Sequence, residues 1–232
     1  MHITVVTIFP KLFNGVFEYG IIHQACKKGL LNIKIMDLRD FTDDKHATVD
    51  DRSYGGGEGM VLKPEPIFRA VDRSREESSE APHVILLTPQ GRRFDQSKAK
   101  ELSLKPHPLF ICGRYEGVDQ RVAEHVVDEE ISVGDFVLSG GEFAALLIID
   151  AVSRLIPGVV GKSCSVLEES FMDEVLDYPH YTRPAEFRGW KVPEVLLSGD
   201  HDRIRRWRQR EALDLTRKRR PDLLKETKKE RN

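Results

Sequence analysis

The chain has 232 residues, 40% of them hydrophobic and 32% charged, which suits a soluble globular protein of one large or two modest domains. Its net charge of −2 divides unevenly: residues 201–232 carry +7 and the rest −9. No apolar run reaches membrane-spanning length, the three cysteines (Cys26, Cys112, Cys164) form no CxxC pair, and the histidines lack zinc-ligand spacing, so a membrane span, a disulfide framework and a structural zinc are all disfavoured.

The opening MHITVVTIFPKLF lacks the basic end and cleavage site of a signal peptide. Ile3–Phe9 predicts a buried strand closed by Phe9-Pro10. Together with the cysteines, this start leads us to expect a reducing, cytoplasmic setting. Leu12–Leu30 has helical spacing, and Leu31–Leu38 alternates as a half-exposed strand. Arg39–Gly59 is polar and glycine-rich and reads as a long loop, a length that in a compact domain is usually functional or disordered. A short helix is expected over Pro64–Arg73, a charged linker over Arg73–Pro82, and a strand over Val84–Thr88 with a turn at Pro89-Gln90-Gly91. Helix, strand, helix, strand, helix follow at Gln96–Leu104, Leu109–Cys112, Asp119–Val127, Glu130–Val133 and Glu142–Leu155.

Strands alternating with helices predict an α/β fold, a mostly parallel sheet with helices on both faces. Ile156-Pro157-Gly158 ends that alternation. The expected organisation is an α/β domain over 1–160, a linker over 161–174 and a small, mainly helical domain over 175–232. In the last, Asp200 is placed to cap a helix running to Lys218, with Ile204, Trp207, Ala212 and Leu215 on its apolar side. Lys225–Asn232 has no apolar content and is expected to fray.

Three turns stand after neighbouring strands: Pro89-Gln90-Gly91, Gly113-Arg114-Tyr115-Glu116-Gly117, and Val133–Gly141. Such turns build a ligand crevice at the carboxyl ends of strands, or are simply tight connections. None carries a nucleotide fingerprint. Gly161-Lys162-Ser163 imitates the end of a phosphate loop, but Ile156 stands where that motif needs glycine. Asp50–Met60 places Gly55, Gly56, Gly57 and Gly59 beside Arg52 and Tyr54, a phosphate partner and a stacking face for single-stranded RNA, or a flexible surface loop. Arg203–Arg210 is a basic helix with a Trp, and YPHYTRP (178–184) mixes aromatics, His and Arg. Each has a purely packing alternative.

Taken in order, DFTDDKHATVDDRSYGGGEGM, LTPQGRRFDQ, ICGRYEGVDQRV, ISVGDFVLSGGE, DAVSRLIPGVVG, DYPHYTRP and EVLLSGDHDRIRRWR resemble the bacterial tRNA (guanine-N1)-methyltransferase family, of the SPOUT class, from Ile3 to about Leu224. The resemblance implies a deep trefoil knot in the α/β domain, one of the rare exceptions to unknotted topology. It implies S-adenosyl-methionine held by Leu87, Thr88, Pro89, Gln90, Gly113, Tyr115, Glu116, Gly117, Val133, Gly134, Asp135, Phe136, Val137, Leu138, Gly140 and Gly141. It also implies a homodimer with active sites between subunits, no membrane association, and a tRNA substrate methylated at guanine 37, with guanine at 36, in the anticodon stem-loop. Substrate contacts carried over are Asp50, Arg52, Tyr54, Gly55, Gly59, Arg114, Ser170, Tyr181, Arg183, Arg205, Arg206, Trp207 and Arg208. Magnesium dependence comes from the resemblance alone; no ligand cluster in the sequence points to it.

Guanine N1 is a poor nucleophile until its proton leaves. A carboxylate base and a cation near O6 meet that need. The family's aspartate base falls at Glu169, beside Glu168; glutamate keeps the carboxylate but moves its oxygens by about 1 Å, a displacement that can cost rate. Asp177 is the alternative base, and Arg154 matches the O6 arginine. Ser53, Glu58 and Glu174 also depart from the family's usual Pro, Pro and Gly. Two other readings compete: a tRNA-binding protein without catalysis, and a knotted methyltransferase acting at another RNA position.

Overall fold

The computed structural model describes residues 1–160, 169–172 and 175–226. Gly161–Ser163, Cys164, Glu168, Asp173, Glu174 and residues 227–232 lie outside these, and with them most of the expected linker and part of the expected fraying tail. The chain divides into two compact units, Met1–Gly161 and Lys162–Asn232. No helix among the described residues is long and apolar enough to cross a membrane.

The first unit is built on a five-stranded, all-parallel sheet in the order β2-β1-β6-β5-β7. Its strands are β1 (His2–Thr7), β2 (Asn32–Asp37), β5 (His83–Arg93), β6 (Pro108–Cys112) and β7 (Glu129–Ser132). Alternating side chains serve two cores. Val5, Ile85, Leu87, Phe110 and Cys112 pack on one face with Ala25 of α1 (Gly20–Lys27), Leu102 of α3 (Gln96–Ser103) and Ile148 of α5 (Glu142–Ser153). Val6, Val84, Leu86, Leu109 and Ile111 pack on the other with Ile67 and Val71 of α2 (Pro64–Glu77) and Val122 of α4 (Gln120–His125). Burial on both faces is why these strands read as nearly continuous apolar runs.

Four local expectations need correction. Leu12–Leu30 is not one helix: two 3-10 turns, Pro10–Phe13 and Val16–Glu18, precede α1. Gly15 (φ 80) and Gly20 (φ 70) sit in the left-handed region and break the run. Arg39–Gly59 is not structureless. It holds a 3-10 turn (Leu38–Phe41) and β3 (Asp50–Arg52), which pairs antiparallel with β4 (Met60–Leu62). α2 extends to Glu77 through the expected linker, helped by Arg73 reaching Glu77 at i,i+4 (2.8 Å). Pro89-Gln90-Gly91 does not end β5: the strand continues to Arg93 across a register shift between Leu87 and Arg92.

The second unit contains a hairpin, β8 (Glu186–Phe187) with β9 (Trp190–Lys191), and helices α6 (Glu194–Leu197), α7 (His201–Arg219) and α8 (Leu223–Glu226). Asp200 caps α7 by accepting from the Asp202 and Arg203 amides. The hairpin is an addition to the mainly helical domain expected here.

At the amino ends of the strands, buried His107 lies against Thr4, with Nε2 2.9 Å from Thr4 Oγ1 and Nδ1 3.2 Å from the Glu80 carbonyl. The carbonyl takes the Nδ1 proton, so Nε2 accepts from the threonine, whose hydroxyl also meets His2 Nε2 at 3.2 Å. Burial holds the His107 pKa below its ordinary 6.5, and burial followed by the His107 charge does the same for His2. A histidine depressed in the fold binds more protons when unfolded. Stability is therefore complete above about pH 6.5 and falls as pH drops toward the folded values, by at most about 1.4 kcal/mol per pH unit for each group. Urea midpoints should decline between pH 7.5 and 5.5, and His107→Gln should flatten that decline. An equally steep decline in the variant would remove His107 as its source.

Candidate functional site

A cavity of about 350 Å³ opens at the carboxyl ends of β6 and β7, against the bulge of β5. Leu87, Thr88, Pro89 and Gln90 form one wall, Gly113 to Gly117 a second, and Val133, Gly134, Phe136, Val137, Leu138, Gly140 and Gly141 a third. Of the cofactor residues expected from the sequence, only Asp135 is absent from the lining. The cavity also takes Ser139 of the Val133–Gly141 turn, and Leu86, Val118, Gln120, Ala123, Glu130, Ile131, Ser132 and Ala144, which were not among the expected site residues. Most of those residues lie on strand or helix faces, and only the way the walls converge brings them in.

The walls are fixed by close backbone contacts. The Gly141 amide donates to the Gly113 carbonyl at 2.9 Å, and Arg114 bridges to Gly140. A Cβ at Gly141 would stand 2.8 Å from Cys112 Cα, so the two turns approach more closely than any side chain permits. At the β5 bulge a Cβ on Gly91 would meet the Glu130 carbonyl carbon at 2.4 Å. Tyr115 is held at φ 58, a sparsely populated region for a non-glycine residue and a recurrent mark of binding sites.

Arg114, expected to touch RNA, stands in the cavity wall. Its Nε donates to Glu142 Oε2 at 3.0 Å, its guanidinium carbon lies 4.5 Å from the Phe9 ring centroid, and Glu142 Oε1 accepts from Thr7 Oγ1 at 2.7 Å. Glu142 is fully buried. This pair positions the turn, and the sequence held no sign of it because the partners are 28 residues apart.

The glycine segment forms the β3–β4 hairpin. Gly55 (φ 87) and Gly59 (φ 104) shape its tip, Tyr54 is fully exposed, and Asp50 and Arg52 pair with Leu62 and Met60. This hairpin is tied to the second wall: Glu116 N donates to Met60 O and Leu62 N to Gly117 O, both at 3.0 Å. A second hollow of about 630 Å³ lies against it, walled by Arg52, Tyr54, Lys63 and Arg121 among others, and shares Val118 and Gln120 with the first cavity.

Arg154 follows the last turn of α5, its amide donating to Asp150 O at 3.3 Å. It does not line its own chain's cavity. Thirteen residues beyond Gly141 at 1.5 Å each put it roughly 20 Å down the helix.

In the second unit, Glu169 is half-buried, and its carbonyl accepts from Met172 N at 3.3 Å. Ser170 Oγ accepts from Asp177 N at 2.9 Å, and Asp177 Oδ2 lies 2.8 Å from His180 Nε2. His180 is the histidine of the YPHYTRP segment, at Asp-x-x-His spacing from Asp177. Half-buried Trp207 packs near Tyr181, with centroids 6.4 Å apart, and Arg208 stacks over Tyr178 at 4.8 Å. Arg205 pairs with Asp202 at 2.7 Å, and Arg206 Nε donates to the Asp202 carbonyl. Arg183 is exposed. Among the described residues no group of three His, Cys, Asp or Glu side chains is arranged for a metal ion, so no residue is assigned to magnesium.

Residues 1–226 match the family described as tRNA (Guanine-1)-methyltransferase TrmD. A tRNA (guanine-N(1)-)-methyltransferase of Dictyoglomus turgidum is 57% identical over 227 residues, spanning 98% of this chain and 91% of the relative. Similarly named relatives from Persephonella marina (58% over 226 residues; 97% and 88%) and Bacillus subtilis (51% over 226 residues; 97% and 93%) are also similar.

Proposed function

We propose a reaction for this chain from one premise: it belongs to the tRNA (guanine-1)-methyltransferase family. It methylates N1 of guanine in tRNA, at position 37, with S-adenosyl-methionine as donor. The observation that carries this reading is the cavity closed by the turns after β6 and β7 and the bulge of β5. Its walls suit the donor. Exposed Tyr115 and Phe136 flank it, glycines keep side chains out of the space where Gly113 and Gly141 meet, and Glu116 and Glu130 are acidic residues in the lining of a site for a ligand that carries a positive sulfonium. When bound, that ligand supplies an electrophilic methyl group.

The chain's own residues handle the guanine. A carboxylate, Glu169 or Asp177, removes the N1 proton, and the Arg154 guanidinium stabilises the charge that moves onto O6. Because Arg154 lies ten residues beyond Ala144, roughly 15 Å along α5 from its own cavity, a second subunit completes the site. Two features support this. Exposed Phe143 and Leu147 lie one turn apart on α5, an apolar stripe suited to a symmetric partner. Leu147 is also midway between Gly141 and Arg154, so an antiparallel pair of α5 helices crossing there would set each Arg154 toward the partner's cavity. The closeness of the 113 and 141 turns supports a knotted crossing, and the arginines of α7 support a tRNA-binding role for the second unit.

Two transcripts differing only in guanine or adenine at position 37 test the reading. The wild type should yield 1-methylguanosine from the first alone. Glu169→Ala with retained tRNA binding should slow single-turnover transfer about 10²- to 10⁴-fold if Glu169 is the base. Near-normal transfer there with loss in Asp177→Asn assigns the base to Asp177. No transfer by wild type, with tRNA bound, would leave a binding protein only.

A further inference from the structure

The second unit carries an aromatic feature that the reading above does not use. In the β8–β9 hairpin, Phe187 and Trp190 are direct cross-strand partners, and Ala185 and Val192 close the base through a 2.9 Å hydrogen bond. Residues opposite one another in an antiparallel pair project to the same face, so the two rings form one shelf; Glu186 and Lys191 pair across the other face, 3.8 Å apart. Both rings face water, Phe187 at 57% and Trp190 at 71% exposure. Neighbouring large aromatics left so open on a soluble protein mark a contact surface.

The turn between them is specialised. Arg188 (φ 54) and Gly189 (φ 84) both adopt left-handed backbone, the geometry of the tightest hairpin turn, which ordinarily takes Asn or Gly at the first position. Arginine held there places its guanidinium carbon 5.3 Å from the Phe187 centroid, flat cation beside flat ring. Across 183–191 the cations Arg183, Arg188 and Lys191 face the single carboxylate of Glu186.

We propose that this shelf stacks an unpaired base of the tRNA, with its cations on the adjoining phosphates; the inference rests on the tRNA-methyltransferase reading. Aromatic faces joined to a guanidinium plane and positive charge are how proteins hold splayed single-stranded bases. A protein partner is less well matched, because the rings stand on a narrow two-residue ledge rimmed by positive charge.

The full-length chain and a guanine-37 tRNA transcript provide the test. Trp190→Ala should raise the tRNA Kd about 5- to 100-fold, while Trp190→Phe stays near wild type, since a base stacks on any aromatic face. Arg188→Asn, a residue that suits the left-handed turn, should also weaken tRNA binding several-fold. S-adenosyl-methionine affinity should be unchanged in all three, which guards against misfolding. The proposal is overturned if Trp190→Ala and Arg188→Asn both bind tRNA within about twofold of wild type, or if Trp190→Ala alters oligomeric mass but not tRNA affinity. Wild-type protein that neither binds nor methylates the transcript would overturn the functional reading along with the shelf.

Discussion

Gly141→Ala is expected to lower methyl-transfer kcat/KM by about 100-fold or more and to weaken S-adenosyl-methionine binding in parallel. The added methyl would lie 2.8 Å from Cys112 Cα and 3.2 Å from the Gly113 nitrogen. Those atoms end β6, a strand buried along its whole length, so they cannot swing aside as a side-chain tip would. The 133–141 segment must withdraw, lengthening the 2.9 Å bond from Gly141 N to Gly113 O and separating two cavity walls. The fold itself should lose only about 1–3 kcal/mol, as for other overpacked sites. Calorimetric titration with S-adenosyl-methionine, beside steady-state kinetics, checks this. Unchanged donor affinity would show that the turns need not touch.

The largest stability effect is expected at Glu142. Glu142→Ala removes the partner of Arg114, a side chain only 15% exposed, and takes away the acceptor of the Thr7 hydroxyl. Breaking a buried pair from one side leaves an uncompensated charge and costs about 3–5 kcal/mol. For a chain of this size that lowers Tm by about 10 °C. Removing Arg114 as well should restore part of the loss, because the stranded charge goes with it. Transfer should fall even at temperatures where the variant is folded, since Arg114 lines the cavity. Scanning calorimetry on the two single variants and the double variant reads the coupling. Additive losses would mean that the ion pair contributes nothing beyond its separate members.

Much of the architecture lies in short windows of sequence. Gly140-Gly141 before an apolar run marks the start of α5, and Asp200 before Ile204 and Trp207 marks α7, because caps and helical periodicity are local properties. The turns after β6 and β7 were legible for the same reason, since each follows a strand, and every cofactor residue expected in the cavity except Asp135 reaches the lining. Local patterns misled where a distant contact overrode them. Gly91 lies against the Glu130 backbone, which keeps β5 in register with β7 beyond the apparent turn. Met60–Leu62 supplies the partner that turns part of a loop into β3.

What the sequence determined by itself, then, was the alternation of strands and helices, the positions of the two turns after β6 and β7 that line the cavity, and the family. Tertiary structure decided which residues share a wall. Arg114 finds Glu142 across 28 residues, Thr7 finds the same carboxylate across 135, and Arg154 stands at the far end of the helix whose start lines the cavity. Each depends on strand order and helix direction, which are fixed by burying both faces of the sheet at once, and no window shorter than the sheet carries that constraint.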